Sequence, residues 1–412
     1  MKALVLTSMV PSPELGQRIG ISHRFGLFLD AIAAQADSVR IVHIVPLEMV
    51  ASTPDLAALS RQQSEEWGHP VELSLVPRRV RQETSFTHYV PGMLRADEQP
   101  PLQSFAGPEQ GAAIARLLEA EAPDLVFVFC IPAMAALLRA GPDALRRVGK
   151  VYFDLNDVEH RVRVRSVLTK PVWLGKLAYL SHVPALFAAE WRGARLSART
   201  FVCSERDRLH LARLGVPRVA VVPNAVPMPE APPGLCAAPT LLFIGAYDYP
   251  PNAEGAERMI TRILPLVRQA VPEARLVIAG KKSDHVPALA GGAVPEGVEV
   301  TGFVPDLGAL YARSRVVVCP LSNGGGTRLK LIEGAAHARP MVSTTVGAEG
   351  LDLVDGRDAL LRDDDAGFAA ACVELLRDDA ACLRLGAAAR ALAEARYDAP
   401  RIVAEIGTMM RA

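Results

Sequence analysis

The chain has 412 residues, with 45 Lys and Arg against 45 Asp and Glu, 50% hydrophobic residues and 22% charged ones. That length suits two or three domains with full cores, and so apolar a composition excludes intrinsic disorder. Zero net charge excludes a generally cationic molecule that would hold nucleic acid through its overall field.

Short aliphatic and β-branched runs alternate with longer helical patterns, the signature of an α/β fold with parallel sheets and crossover helices. Strands are expected at 3–7, 40–45, 71–76, 125–130, 150–154, 200–203 and 219–222, with a helix around 22–34. The run 1–6 is too short for a signal peptide and meets Pro11 and Pro13 at once, so it reads as a first strand. The longest uncharged apolar stretch, 125–138, contains Pro132 and is shorter than a membrane span. A soluble, cytoplasmic protein is expected. Six prolines within 223–239 block both helix and sheet ladder and predict an inter-domain linker.

The alternation then restarts. Strands are expected at 241–245, 275–279, 298–301, 316–319, 341–344 and 359–361, and helices at 253–269, 328–338, 366–377 and 380–396. The tail 397–412 adds a short helix expected to return to the first domain. The expected divisions are therefore 1–222, 223–239, 240–396 and 397–412. Two such halves around a stiff hinge predict a cleft, with ligand at the carboxyl ends of both sheets. Cys130, Cys203, Cys236, Cys319, Cys372 and Cys382 form no C-x-x-C pair and read as buried thiols, not disulfides or a zinc site.

The segment 316–333 reads strand, glycine turn, helix. Gly324, Gly325 and Gly326 let a ligand approach the backbone, and the helix that follows offers unpaired N–H donors to an anion. Thr327 is the expected N-cap. Arg328 and Lys330 then fall in the first helical turn, where cations oppose the macrodipole, a placement that makes sense beside a phosphate. Glu333 sits in a run that should pack on the sheet, so its carboxylate needs donors. Sugar hydroxyls suit, with Lys330 as the competing partner.

The run GGGTRLKLIEGAAHARPMVSTTVGAEGL resembles the donor-binding signature of the GT-B-fold glycosyltransferases of family 4, also called group 1. LLFIGAYDYPPNAEG, RLVIAGKK and VEVTGFVPDL fit the same resemblance in the second half; FVCSERDRLHL, VAVVPNAV and DLNDVEHR fit it in the first. The resemblance implies a GT-B fold, two Rossmann-like domains facing across a cleft. It also implies retaining transfer of a sugar from a nucleotide-diphosphate sugar, with no required metal or cofactor. It gives Arg328 and Lys330 to the diphosphate and Glu333 to the ribose. Gly245, Lys281, Phe303, Gly324, Gly325, Gly326 and Thr327 line the donor. On the acceptor side it points to Gly16, Arg18, Asn156 and Glu159. The sequence departs from the pattern in having Gly325 where many members carry a second glutamate, and Ala246–Tyr247–Asp248 where many carry an arginine and a lysine. Ala225 replaces the usual hinge glycine.

Other signals point less far. Asp363–Asp364–Asp365 resembles a metal cluster but precedes a helix, where capping is expected. His88 and His160 are isolated histidines. No G-x-G-x-x-G follows the first strand and no GK[ST] follows the glycines, which argues against a dehydrogenase or P-loop enzyme. Residues 159–218 hold twelve Lys and Arg against four Asp and Glu, a local +8, among Trp173, Tyr179, Phe187 and Trp191. Such a stretch suits either an ordinary solvated face or peripheral contact with an anionic membrane. The acceptor is expected to be a saccharide or lipid-linked precursor in surface polysaccharide synthesis. Two rivals are a nucleotide-sugar epimerase of the same fold and a non-catalytic nucleotide-sugar-binding protein.

Overall fold

Seven strands form the first sheet: β1 (Lys2–Thr7), β2 (Ser38–Pro46), β3 (Val71–Arg78), β4 (Leu125–Phe129), β5 (Lys150–Asp154), β6 (Arg199–Val202) and β7 (Val219–Val221). Every pairing is parallel, in the order β3-β2-β1-β4-β5-β6-β7. The second sheet holds β8 (Thr240–Ile244), β9 (Arg275–Ala279), β10 (Val298–Gly302), β11 (Val316–Cys319), β12 (Met341–Ser343) and β13 (Leu360–Leu361). It is also wholly parallel, ordered β10-β9-β8-β11-β12-β13. The structure, a computed structural model, describes residues 1–11, 21–51, 55–78, 107–168, 180 and 183–411. The chain divides into two units, Met1–Pro223 with Ile402–Ala412, and Asn224–Arg401.

Helices cover both faces of a parallel sheet, so its central strands are apolar on both sides. β4 reads LVFVF and β11 reads VVVC, and each is buried along its whole length. Aromatic stacking thickens the first core: the Phe28 ring lies 4.8 Å from that of Phe127 and 5.1 Å from that of Phe201. In each sheet the strand order reverses once, between β1 and β4 and between β8 and β11. The carboxyl edge beside such a reversal is where open α/β sheets bind ligands, because the crossover loops diverge there.

Local chemistry sets the helix ends. Asp364 caps the Asp365–Arg377 helix by accepting from the Gly367 N–H at 2.8 Å, and Asp378 caps the Asp379–Arg396 helix through the Ala381 N–H. The acidic triplet is thus used structurally: Asp363 accepts from Thr345, and Asp365 pairs with Arg258 at 2.6 Å. The expected single helix over 253–269 is three segments, Pro250–Arg258, a π-turn at Met259–Ile263 and Leu264–Ala270. Pro265 has no N–H for the ladder there, which accounts for the widened turn.

The proline-rich segment 223–239 packs within the second unit. Arg339 donates to the Pro233 and Gly234 carbonyls at 2.7 Å, Arg390 donates to Pro229 and the Val226 N–H donates to the Tyr397 carbonyl. The Ala399–Arg411 helix buries Ile402, Ile406 and Met410, one residue per turn on one face. Tyr152 on β5 donates to the Met410 carbonyl, which fastens that helix to the first unit.

One ion pair anchors the first unit. Arg24 lies on the Ile21–Ala33 helix and grips Asp154 with two hydrogen bonds of 2.8 and 2.6 Å, while its third nitrogen donates to the Val222 carbonyl at 2.6 Å. Both side chains are 1% exposed or less. Burial alone would weaken the Arg24 charge, and the facing carboxylate more than restores it. Replacing Arg24 with Ala would leave a buried carboxylate without its partner. Denaturant unfolding of Arg24→Ala should show a loss of about 3–5 kcal/mol, and the double variant Arg24→Met, Asp154→Leu should lose far less.

Candidate active site

Most of the expected donor residues follow the carboxyl ends of β8, β9, β10 and β11, flanking the reversal of strand order in the second unit. Gly245 follows β8, Lys281 follows β9, Phe303 follows β10, and the glycine turn follows β11. The Gly245 N–H donates to the Ala279 carbonyl and the Tyr247 N–H to the Lys281 carbonyl, tying the β8 loop to the β9 loop. Lys281 stands over the Phe303 ring at 4.7 Å.

The glycine turn is shaped by its cation. Gly324 has φ 113 and Gly326 has φ 71, backbone that side-chain-bearing residues rarely adopt. A Cβ on Gly324 would sit 3.1 Å from Arg328 Nη2 and 3.0 Å from the Tyr249 hydroxyl. Arg328 is buried, and its Nη1 donates to the carbonyls of Gly325 and Gly326. Among the described residues its Nε and Nη2 have no acceptor. A guanidinium buried with unsatisfied donors is costly unless an acceptor, best an anion, completes its shell.

The expected N-cap is corrected. The helix is Leu329–Ala336, its N-cap is Arg328, and Thr327 does not cap it, since the Thr327 hydroxyl accepts from Asn224 Nδ2 instead. With no side-chain cap on this helix, its first N–H groups lack that partner, as an anion site requires. Lys330 lies in the first turn. Its ammonium donates to Asn252 Oδ1 at 2.9 Å and lies 4.2 Å from the centre of the Phe243 ring. Asn252 is held by donating to the Ala246 carbonyl at 3.0 Å, and a Cβ on Gly245 would strike it at 2.9 Å. Burial, with Arg328 adding to it, pushes the Lys330 amine down to about 8.

Glu333 is half-buried one turn further on. The hydrogen bond to its carboxylate comes from the Tyr311 hydroxyl at 2.9 Å, not from Lys330. Burial pushes the Glu333 carboxyl up, while Tyr311 and the Lys330 charge oppose that shift. Neither Tyr311 nor Asn252 was expected as a site residue. Asn252 lies inside the YDYPPNAEG stretch, whereas Tyr311 sits in a helical run that reads only as core.

In the first unit, the 154–160 stretch lies at the carboxyl end of β5. Asn156 has φ 58, and its carbonyl accepts from Cys203. Glu159 opens the Glu159–Leu168 helix, and burial, together with Asp157 and Glu190, pushes its carboxyl up to about 7. His160 is not isolated. Its Nδ1 is bonded to the buried Glu190, and its Nε2 lies 2.9 Å from His210 Nε2. Gly16, Arg18, His88, Trp173 and Tyr179 lie outside the described residues. Among the described residues no group of three or more His, Cys, Asp or Glu is placed to hold a metal ion, and no helix is long and apolar enough to cross a membrane.

Residues 238–378, which contain every one of the donor-side residues above, match the family "Glycosyl transferases group 1". Over that span the second unit is similar to the group 1 glycosyltransferases. A 44.6 kDa protein of the cps region of Klebsiella pneumoniae, itself uncharacterized, is 22% identical over 172 residues, spanning 40% of this chain and 44% of that relative's length. Among solved structures, sucrose-phosphate synthase from Thermosynechococcus elongatus matches with TM-score 0.69 and 16% identity, over 100% of this chain and 98% of that one. HepE from Anabaena, solved with UDP and glucose, matches at 0.65 and 14%, over 100% and 99%. WaaG, a glycosyltransferase involved in lipopolysaccharide biosynthesis, matches at 0.57 and 14%, over 99% of each chain. At such identities the likeness is one of fold, and the fold is GT-B with two Rossmann-like units.

The second unit should bind anions in a pH-dependent way. Lys330 is an ammonium below about 8 and neutral well above it, so its contribution to anion binding is present at pH 7 and fades toward pH 9.5. Titration calorimetry with inorganic pyrophosphate should show affinity falling several-fold across that interval, and Lys330→Met should flatten the dependence.

Proposed function

We propose that the protein is a retaining glycosyltransferase that moves a sugar from a nucleotide-diphosphate sugar to a saccharide or lipid-linked acceptor in surface polysaccharide synthesis. The observation that carries the donor side is the buried Arg328, whose Nε and Nη2 lack acceptors beside a glycine turn within the span similar to the group 1 glycosyltransferases. A diphosphate supplies oxygens of the right charge and geometry for both nitrogens.

In this reading the leaving diphosphate gains charge as the glycosidic bond breaks, and Arg328, Lys330 and the N–H groups of the 329–336 helix stabilise it. The diphosphate's charge is met by these groups and not by a metal ion. Glu333 accepts from the ribose hydroxyls, Gly324–Gly326 allow close approach, and Gly245, Lys281, Phe303 and Thr327 line the remainder. HepE, solved with UDP-glucose, has the same fold and supports the donor class. The involvement of WaaG in lipopolysaccharide biosynthesis and the cps-region setting of the Klebsiella pneumoniae relative support the polysaccharide reading.

The acceptor falls to the first unit, with Asn156 and Glu159 at the carboxyl end of β5, and with Gly16 and Arg18 added from the sequence resemblance alone. Peripheral contact with the inner face of a membrane through 159–218 fits the +8 charge and the exposed Leu168, Leu209 and Leu214. The division 1–222, 223–239, 240–396 and 397–412 is proposed as the functional one, with a cytoplasmic site of action.

Thermal-shift screening of nucleotide sugars should reveal one donor class that raises the melting temperature with concentration. With that donor, Arg328→Ala should lower the transfer rate by about 100-fold or more, as loss of a transition-state charge partner does, and Glu333→Ala should weaken donor use. Full activity in both variants would overturn the assignment. Release of an epimerised nucleotide sugar without acceptor would mark an epimerase instead.

A further inference from the structure

Tyr311 lies on the Leu307–Ala312 helix, and its ring is completely buried. Its hydroxyl stands 2.9 Å from Glu333 Oε2 and 3.3 Å from the Lys330 carbonyl, so the nearer carboxylate oxygen accepts the better hydrogen bond. The ring is immobilised from the other side. It stacks on His337 with centroids 4.6 Å apart and planes at 19°, and His337 Nδ1 is bonded to the Glu333 carbonyl at 2.8 Å. Asp306 caps the Tyr311 helix by accepting from the Ala309 N–H at 3.1 Å. Packing that holds a phenol this firmly against a carboxylate one turn from the anion turn exceeds what core filling requires.

We infer that Tyr311 is a positioning residue for donor binding: its hydroxyl holds one oxygen of Glu333 and leaves the other for the hydroxyls of the donor's ribose. This rests on the donor reading of Glu333 given above. A glutamate side chain loses rotamer freedom when a ligand fixes it, and a carboxylate fixed beforehand avoids that cost on binding. The bond also favours the ionised carboxylate, the better acceptor for hydroxyls. The titratable and charged groups around Glu333 are Tyr311 on its own helix; Arg328, Lys330 and His337 on or beside the 329–336 helix; Cys319 on β11, which acts on Lys330; and Arg339, Arg390 and Asp306, which act on His337. Removing the phenol leaves burial opposed by Lys330 alone, so the carboxylate should protonate at a higher pH than in the native protein.

Tyr311→Phe keeps the ring and its stacking and deletes one oxygen. UDP, GDP, ADP and CDP serve as probes by titration calorimetry across pH 5–8. The tightest of the four should bind about 10-fold more weakly to Tyr311→Phe, and the pH below which binding falls should move upward. In turnover the donor KM should rise with kcat nearly unchanged. In a Glu333→Gln background the same substitution should change affinity by less than about 2-fold, since the two residues act as one unit. An unchanged affinity and pH profile in folded Tyr311→Phe would overturn the inference, as would a lowered melting temperature as its sole effect. If none of the four binds the native protein, or if Glu333→Gln binds as well as native, the donor reading itself fails and takes this inference with it.

Discussion

A guanidinium taken out of water needs an acceptor for each of its N–H groups, and Arg328 meets that need only in part from the described residues. Its Nη1 reaches two carbonyls of the turn it follows, while Nε and Nη2 are buried without acceptors. The surroundings are arranged around that constraint. Gly324 takes a left-handed backbone conformation in which a Cβ would crowd Nη2, and Lys330, two residues on, is held by Asn252 and the Phe243 ring. Two cations so near each other, one depressed toward neutrality by burial, are unfavourable until an anion joins them. The local cost is of the kind that functional sites carry and the surrounding fold offsets.

The fold explains why the turn can sit where it does. Reversal of strand order between β8 and β11 opens the carboxyl edge of the second sheet, and the loops leaving β8, β9 and β11 are joined there by backbone hydrogen bonds and the Asn252 latch. The first unit repeats the architecture with different chemistry at the same edge. Its Asp154 is consumed by Arg24, and its His160 links the buried Glu190 to the partly buried His210. Of the residues on the 154–160 stretch, Glu159 is the carboxylate left near neutrality by burial and neighbouring acids.

The strands were legible because a parallel sheet buried on both faces demands unbroken apolar runs, and VVVC and LVFVF are such runs. The glycine turn and its cations were legible because glycines and basic residues at a helix start conflict with ordinary helix rules. What escaped were groups whose role depends on three-dimensional neighbours. Thr327 has the composition of an N-cap, yet its hydroxyl is claimed by Asn224, more than a hundred positions earlier. Lys330 stands one turn from Glu333 in sequence, yet it turns to Asn252. Tyr311 looks like one more core aromatic, and only the packing of its helix against the 329–336 helix shows that its oxygen meets a carboxylate.

Arg328 and Glu333 are proposed as two ends of one nucleoside-diphosphate site. A crystal structure of the protein with its tightest-binding nucleoside diphosphate tests this most directly. Phosphate oxygens should stand at charge-assisted distance, about 2.7–2.9 Å, from Arg328 Nε and Nη2, with a ribose hydroxyl on Glu333. A diphosphate bound elsewhere, with those two nitrogens still lacking acceptors, would contradict it.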